Sequence, residues 1–323
     1  MWLAAGACCS CVIGCSDGPS VNPFQIVEVN ARASHIACAP DAQGRVYFSG
    51  ARAQASYVFD PGDTETEATE WGMDEWTSID VEGDYAYVGA PVYGTNGLER
   101  ISLLTGERTV IVEDLVTAAQ HVLDVEARGE DIYWTSQDGV WHWDGSSGGS
   151  PTRVADTGAD RTGSLALGST RLFWTERREV RFADLSGGQS GVLASSEGYN
   201  EYWVFWAVAT DADYVYFLLG DETGGVLGRV LQGGGPIEEL ATGQAAAAGL
   251  HVHQGTVYWA SGETNRAITY PGFMTVFSLD TETEAEPTVL ARRQNGVREM
   301  FVMDDTLYWC GSVAFEIASV PLE

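Results

Sequence analysis

A short apolar run built around an aromatic residue recurs along this chain. In each run a branched or small apolar residue precedes two aromatic or similar residues, as in Ile132-Tyr133-Trp134 and Val257-Tyr258-Trp259. The centres of successive runs lie 40 to 50 residues apart. Repeats of about 40–45 residues are typical of propeller blades made of four strands. The seven runs are centred on Tyr47, Tyr87, Tyr133, Phe173, Tyr216, Tyr258 and Tyr308.

Each repeat contains four short apolar segments separated by turn residues. In the second repeat, residues 78–81 precede a Glu-Gly-Asp turn, the run around Tyr87 follows, and a Thr-Gly turn separates residues 102–104 from residues 108–112. Consecutive residues of a strand point to opposite faces, so paired aromatics predict a sheet that is covered on both faces. No segment of twelve or more residues has a sustained helical period.

These patterns predict an all-β fold, a seven-bladed β-propeller of four-stranded blades over residues 24–323. The seventh repeat provides only three predicted strands. The segment 24–29, Phe-Gln-Ile-Val-Glu-Val, is the candidate for its fourth strand. A strand borrowed from the N-terminal side would close the ring and cover two exposed sheet edges.

The first fifteen residues differ from the rest of the chain. Residues 2–14 are uncharged and mostly apolar or small, and Val12-Ile13-Gly14-Cys15 resembles the lipobox of bacterial lipoproteins. The resemblance implies a signal peptide over residues 1–14, a lipid on Cys15, a tether over residues 15–23, and an outer-membrane lipoprotein of the bacterial cell envelope. No basic residue precedes the apolar stretch, which departs from export signals. A buried strand and a metal site on the four cysteines are the alternatives.

Charge narrows the range of partners. The chain has 46 acidic and 17 basic residues, a net charge of −29, and all its basic residues are arginine. A surface of this sign repels phosphate backbones, so we expect no nucleic-acid partner. No apolar run approaches the roughly 20 residues of a spanning helix, so the lipid on Cys15 is the expected membrane attachment.

The sequence also resembles a known group of repeats. The forms Ile132-Tyr133-Trp134-Thr135 and Leu172-Phe173-Trp174-Thr175 are similar to degenerate YWTD or NHL-type propeller repeats. The wider pattern resembles secreted propeller proteins of myxobacterial type. This resemblance implies a fold and an exported protein, and it brings no catalytic residue with it.

Aromatic residues outside the repeat pattern suggest a binding rim. Loops that join one blade to the next share a rim with loops between second and third strands, so residues there can act together. The expected function is binding of a protein, peptide or glycan by a lipid-anchored monomer without a cofactor. The alternative for each tryptophan is simple packing between blades. The candidate ligand-binding residues are Trp76, His121, Tyr199, Tyr202, Trp203, Trp206, Tyr270 and Arg178.

An enzyme in the central channel is the alternative function. His121, His251 and His253 lie on or beside predicted inner strands, as in a metal-dependent lyase, lactonase or hydrolase. They come from repeats far apart in the ring and lack identifiable carboxylate companions. We therefore assign no catalytic residue and no metal site. No nucleophile elbow, zincin or phosphate-loop motif occurs.

Two cysteines remain beyond the N-terminal segment. Cys38 ends the predicted inner strand of the first repeat, and Cys310 ends the second strand of the seventh. A disulfide between them is possible in an exported protein. The predicted register places them about two residues apart in height, which favours two buried thiols instead.

Overall fold

The computed structural model describes the repeat region with several gaps. Within the described residues every regular element is a strand, and no helix there is long and apolar enough to cross a membrane. The described residues are 24–28, 36–50, 55–60, 69–72, 78–89, 97–112, 122–136, 138–157, 162–262, 273–283, 286–311 and 316–322.

The described strands form seven four-stranded antiparallel sheets. Six sheets are each built from four consecutive strands. The first three are β2 (Ile36–Pro40), β3 (Val46–Gly50), β4 (Ala55–Phe59) and β5 (Thr69–Gly72); β6 (Ile79–Glu82), β7 (Tyr85–Gly89), β8 (Leu98–Ser102) and β9 (Arg108–Val112); and β10 (Asp124–Arg128), β11 (Asp131–Thr135), β12 (Gly139–Asp144) and β13 (Thr152–Asp156).

The next three sheets follow the same order. They are β14 (Thr162–Leu167), β15 (Arg171–Glu176), β16 (Glu179–Asp184) and β17 (Ser190–Ser195); β18 (Val204–Thr210), β19 (Tyr214–Gly220), β20 (Gly225–Leu231) and β21 (Glu238–Thr242); and β22 (Ala248–His253), β23 (Thr256–Gly262), β24 (Phe273–Asp280) and β25 (Thr288–Asn295). The remaining sheet joins β26 (Val297–Met303), β27 (Thr306–Gly311) and β28 (Glu316–Pro321) to the N-terminal β1 (Phe24–Glu28).

The prediction of a helix-free propeller with four-stranded blades is confirmed. Six blades are complete along the chain, whereas the seventh is only partial there because the C-terminal residues provide three strands. The predicted N-terminal strand pairs antiparallel with β28, with Phe24 opposite Ser319 and Glu28 opposite Glu316. The pairing has an irregularity between Gln25 and Val27.

The aromatic runs form the second strands, and they fill the space between sheets. Trp134 and Trp174 are almost fully buried, and so are their neighbours in β11 and β15. Both faces of these strands are covered, as the paired aromatics predict. Phe173 and Phe217 lie in one apolar cluster, which therefore joins the fourth and fifth sheets.

The first strands of neighbouring sheets contact one another. The contacts run from β2 through β6, β10, β14, β18, β22 and β26, and β26 contacts β2. Sheets arranged in this way fan outward from a central channel, so these strands form the channel wall.

A disulfide joins Cys38 to Cys310, with 6.6 Å between their Cα atoms. The prediction that the two cysteines lie at different heights in neighbouring blades and remain free thiols is therefore wrong. Strands of neighbouring twisted sheets cross at an angle, so residues at different positions along the strands meet where the sheets pack. Because β2 contacts both β26 and β27, the bond fastens the first sheet to the sheet that carries the C-terminal strands.

Candidate functional site

One end of the sheets gathers the loops that carry the predicted aromatic residues. In an antiparallel blade the turn between second and third strands lies at the same end as the connection to the next blade. At this end, residues 177–178 connect β15 to β16, residues 196–203 connect β17 to β18, and residues 221–224 connect β19 to β20. Backbone hydrogen bonds connect these elements, since Ser196 N donates to Arg178 O, and Phe205 N at the start of β18 donates to Arg177 O.

Residues 196–203 form a compact loop held by its own hydrogen bonds. The backbone N–H of Tyr199 donates to Ser196 O, and that of Trp203 donates to Asn200 O. Asn200 also accepts the Tyr202 N–H through its side-chain oxygen at 3.0 Å. These local bonds fix the loop backbone, so its aromatic side chains are presented from a defined platform.

Tyr199 and Trp203 stack against each other within this loop. Their ring centroids are 5.8 Å apart, with 23° between the planes. The Tyr199 hydroxyl donates to Glu239 Oε1 at 2.9 Å. Burial raises the pKa of Tyr199 to about 12, and the bond to Glu239 acts in the same direction, so the hydroxyl stays protonated.

Trp203 is half-buried against the turn formed by residues 221–224. A Cβ atom added to Gly224 would lie 3.6 Å from the Trp203 ring, which is an ordinary contact distance, so the turn packs directly against the indole. The Trp203 Nε1 atom is buried and has no hydrogen-bond partner in the described part of the chain. The packing interpretation therefore holds for Trp203.

Tyr202 and Trp206 instead face solvent. Tyr202 is 70% exposed and Trp206 is 50% exposed. Trp206 lies at an irregularity in the pairing of β18 with β19, between Phe205 and Ala207. An extra residue of this kind is turned out of the ladder, which explains why an indole is exposed within a strand. Its Nε1 donates to Gly220 O at 3.0 Å, so the ring is held in place.

Arg178 lies at the edge of the same group. Its Nε donates to Ser196 Oγ at 3.0 Å, and one terminal nitrogen lies 3.5 Å from Glu201 O. These contacts attach the arginine to the start of the loop and to its second half. Five predicted residues are thus brought together, and we call four of them the aromatic corner: Tyr199, Tyr202, Trp203 and Trp206.

The other predicted site residues give a different outcome. Trp76, His121 and Tyr270 lie outside the described residues, as does the predicted lipidation residue Cys15.

The predicted channel histidines lie side by side on β22. The rings of His251 and His253 are stacked with their centroids 6.5 Å apart. Burial lowers the pKa of His251 to about 4, and His253 acts in the same direction, so His251 is neutral at neutral pH. Among the described residues, no group of three or more histidines, cysteines or carboxylates is arranged to hold a metal ion.

A set of channel carboxylates was missed by the sequence reasoning. Desolvation by the surrounding inner strands raises the pKa of Asp80 to about 6 and raises the pKa of Asp124, Glu126 and Glu299 as well, although the Glu299 side chain is exposed to solvent. The charge of Glu299 further raises the pKa of Asp124, although β26 and β10 are not neighbours in the order of first strands. These carboxylates therefore interact across the channel.

Two of these acids, and a further acid on β6, also connect one blade to the next. Asp80 Oδ2 accepts the Ala127 N–H at 2.7 Å, and Asp124 Oδ2 accepts the Leu165 N–H at 2.7 Å. Glu82 accepts the Gly129 N–H in the same way at 2.9 Å. An inner strand is the edge of its sheet and has unpaired backbone donors, which these side chains satisfy. The sequence signal was an acidic residue within the apolar segment that precedes each of two aromatic runs.

Comparisons with known proteins agree with this fold. No family model matches the sequence, and no curated protein sequence matches it. Virginiamycin B lyase from Staphylococcus aureus is similar in structure, with a TM-score of 0.73 and 12% identity over 93% of this chain and 98% of that one. PorZ, a bacterial surface component of the type-IX secretion system of Porphyromonas gingivalis, has a TM-score of 0.65 and 12% identity over 92% of this chain and 38% of PorZ.

A nidogen/laminin complex is a more distant match, with a TM-score of 0.50 and 17% identity over 67% of this chain and 82% of that one. All three neighbours are β-propeller proteins. At sequence identities this low, the structural similarity to these proteins shows a shared fold alone.

Proposed function

We propose that this chain is an exported, lipid-anchored binding module whose seven blades close into one ring and whose aromatic corner holds a protein, peptide or glycan. The observation that carries the proposal is the exposure of Tyr202 and Trp206 on a loop and strand held by fixed hydrogen bonds. Large aromatic side chains provide contact area at a low entropic cost, and they are enriched where proteins bind partners.

The rigidity of the corner supports this use. Tyr199 and Trp203 stack on each other in the loop that carries Tyr202, and Arg178 ties this loop to the neighbouring turn. A surface that is already ordered loses little conformational freedom when a ligand binds. PorZ, with a similar fold, is a bacterial surface component, which is compatible with such a role.

The proposed location rests on two features. The disulfide between Cys38 and Cys310 fits an oxidising compartment outside the cytoplasm. The segment ending at Cys15 provides the anchor, and a bacterial lipoprotein carries several acyl chains, which stable membrane retention requires. Replacing Cys15 with alanine should move the protein to the soluble fraction, and retention of that variant in membranes would contradict the anchor.

Binding through the aromatic corner is tested with a panel of immobilised peptides and glycans. We expect the wild-type protein to bind members of the panel that the double variant Tyr202→Ala, Trp206→Ala does not bind. Leu104 is 74% exposed on a turn between third and fourth strands, at the opposite end of the blades, so Leu104→Ala is the matched control. Equal binding by wild type and double variant would refute the aromatic corner as the binding site.

The channel enzyme is a second candidate function, supported by the ionisable groups that converge on the inner strands. Glu126 has a raised pKa and could donate a proton, while His251, whose lowered pKa of about 4 keeps it neutral, has the form of imidazole that binds a metal ion. Analysis of bound metal in the purified protein tests the metal-dependent form. Stoichiometric metal that is lost on His251→Ala would favour the enzyme over the binding module.

A further inference from the structure

We propose that the ligand of the aromatic corner is a basic protein segment, which presents arginine or lysine side chains to Tyr202 and Trp206. This inference rests on the proposed binding function and names the chemistry of its ligand. Three features of the described residues support it: the open ring faces, the charges around them, and the engagement of Arg178.

The exposed rings have the electronic character that cations prefer. A guanidinium or ammonium group is attracted to the face of an indole or phenol ring, with tryptophan the strongest partner. The chain makes such contacts internally, for example Arg229 over Tyr214 and Arg171 over Phe182, each at 4.3 Å. No described arginine lies over Tyr202 or Trp206 in this way, so these two ring faces are open to a cation from a partner.

Carboxylates surround the aromatic corner. Glu197 and Glu201 are exposed in the loop, and Glu222 is exposed in the neighbouring turn. Asp221 accepts hydrogen bonds from Thr223 and Gly224, which lower its pKa against the opposing effect of burial, so it stays ionised. Glu239 lies at the Tyr199 hydroxyl.

Two arginines, Arg177 and Arg178, lie in the turn beside the loop, and they are outnumbered by the five carboxylates named above, so the charge around the aromatic corner stays negative. Neither arginine is without a partner, and Arg178 holds the loop. Its Nε is occupied by Ser196, and a terminal nitrogen faces a backbone oxygen of the loop. The arginine therefore supports the loop instead of forming an open anion site. The net charge of −29 acts in the same direction at long range, since it accelerates the approach of basic partners and repels acidic ones.

The test measures binding of three probes to the full chain by calorimetry: hexa-arginine, hexa-glutamate and the neutral sugar maltohexaose. We expect hexa-arginine to bind, and we expect its affinity to fall with added salt. Trp206→Ala should weaken this binding about fivefold, which corresponds to a single cation–π contact. Glu201→Gln should also weaken it, whereas Glu107→Gln removes the same charge from a turn at the opposite end of the blades and should have little effect.

The outcomes separate this inference from the proposed function. If hexa-arginine binds equally to wild type and to the double variant Tyr202→Ala, Trp206→Ala, its binding is non-specific and the inference is wrong. If maltohexaose or hexa-glutamate binds and the double variant abolishes that binding, the corner is a binding site but its ligand is not basic. If the double variant weakens the binding of none of the three probes and of no member of the immobilised panel, the proposed function itself fails.

Discussion

Removal of the disulfide is the sharpest test of how the two ends of the chain hold the fold together. Cys38 and Cys310 are 272 residues apart in sequence, and both side chains are buried. The loop-closure entropy of an unfolded chain cross-linked over this distance corresponds to about 5.6 kcal/mol at 25 °C. Measured values are usually smaller, so we expect the variant Cys38→Ala, Cys310→Ala to lose about 3–5 kcal/mol of the free energy of unfolding.

The assay is urea unfolding followed by tryptophan fluorescence, with wild type measured both oxidised and reduced. Reduced wild type should unfold at nearly the same urea concentration as the double variant, because both lack the cross-link. The two proteins differ only in the sulfur atoms at positions 38 and 310. Agreement between them separates the bond from the small loss of packing at the two sites. The reasoning is refuted if the double variant and oxidised wild type unfold at the same urea concentration.

The remaining predictions concern the channel, one glycine and two indoles. Glu126→Gln should raise the free energy of unfolding at pH 7, because burial and nearby acids raise the pKa of Glu126 and disfavour its charge. A carboxyl whose pKa is higher in the folded state contributes stability at low pH that is lost as the pH rises. For Asp80 this loss falls between its ordinary pKa of 3.8 and about 6. Wild type should therefore gain stability relative to Asp80→Asn on acidification through that window, which urea titrations of both proteins at several pH values would reveal. Gly225→Ala should lower the melting temperature strongly, since the added Cβ would lie 2.5 Å from Gln244 O and 2.6 Å from Leu219 O. Gly233→Ala is the control and should be tolerated, because its added Cβ meets nothing within 4 Å. Equal melting temperatures for the two variants would contradict this reasoning. Trp259→Phe should lower the free energy of unfolding by about 1–3 kcal/mol more than Trp203→Phe. The reason is that Trp259 Nε1 donates to Gln244 in the core at 2.8 Å, whereas Trp203 Nε1 has no described partner. Chemical denaturation of both variants measures the difference.

Local pattern was sufficient to place the predicted site residues that the structure describes. Tyr199, Tyr202, Trp203, Trp206 and Arg178 were grouped by their positions in predicted loops, and they do lie on one rim. The pattern could not separate the buried Trp203 from the exposed Trp206, because both indoles occur at the start of the same predicted strand. Their difference depends on an irregular strand pairing at Trp206 and on the packing of Trp203 against the turn formed by residues 221–224, which are properties of packed neighbours.

The sequence by itself determined the all-β architecture, the four strands of each repeat and the segment that pairs with β28. These features follow from the spacing of aromatic runs and from the requirement that both faces of a blade be covered. Only the tertiary structure decided that Cys38 meets Cys310, and that Asp80, Asp124, Glu126 and Glu299 share one channel. Such contacts join residues from repeats far apart in the chain, and their distances depend on the twist and tilt of the sheets, which no local pattern encodes.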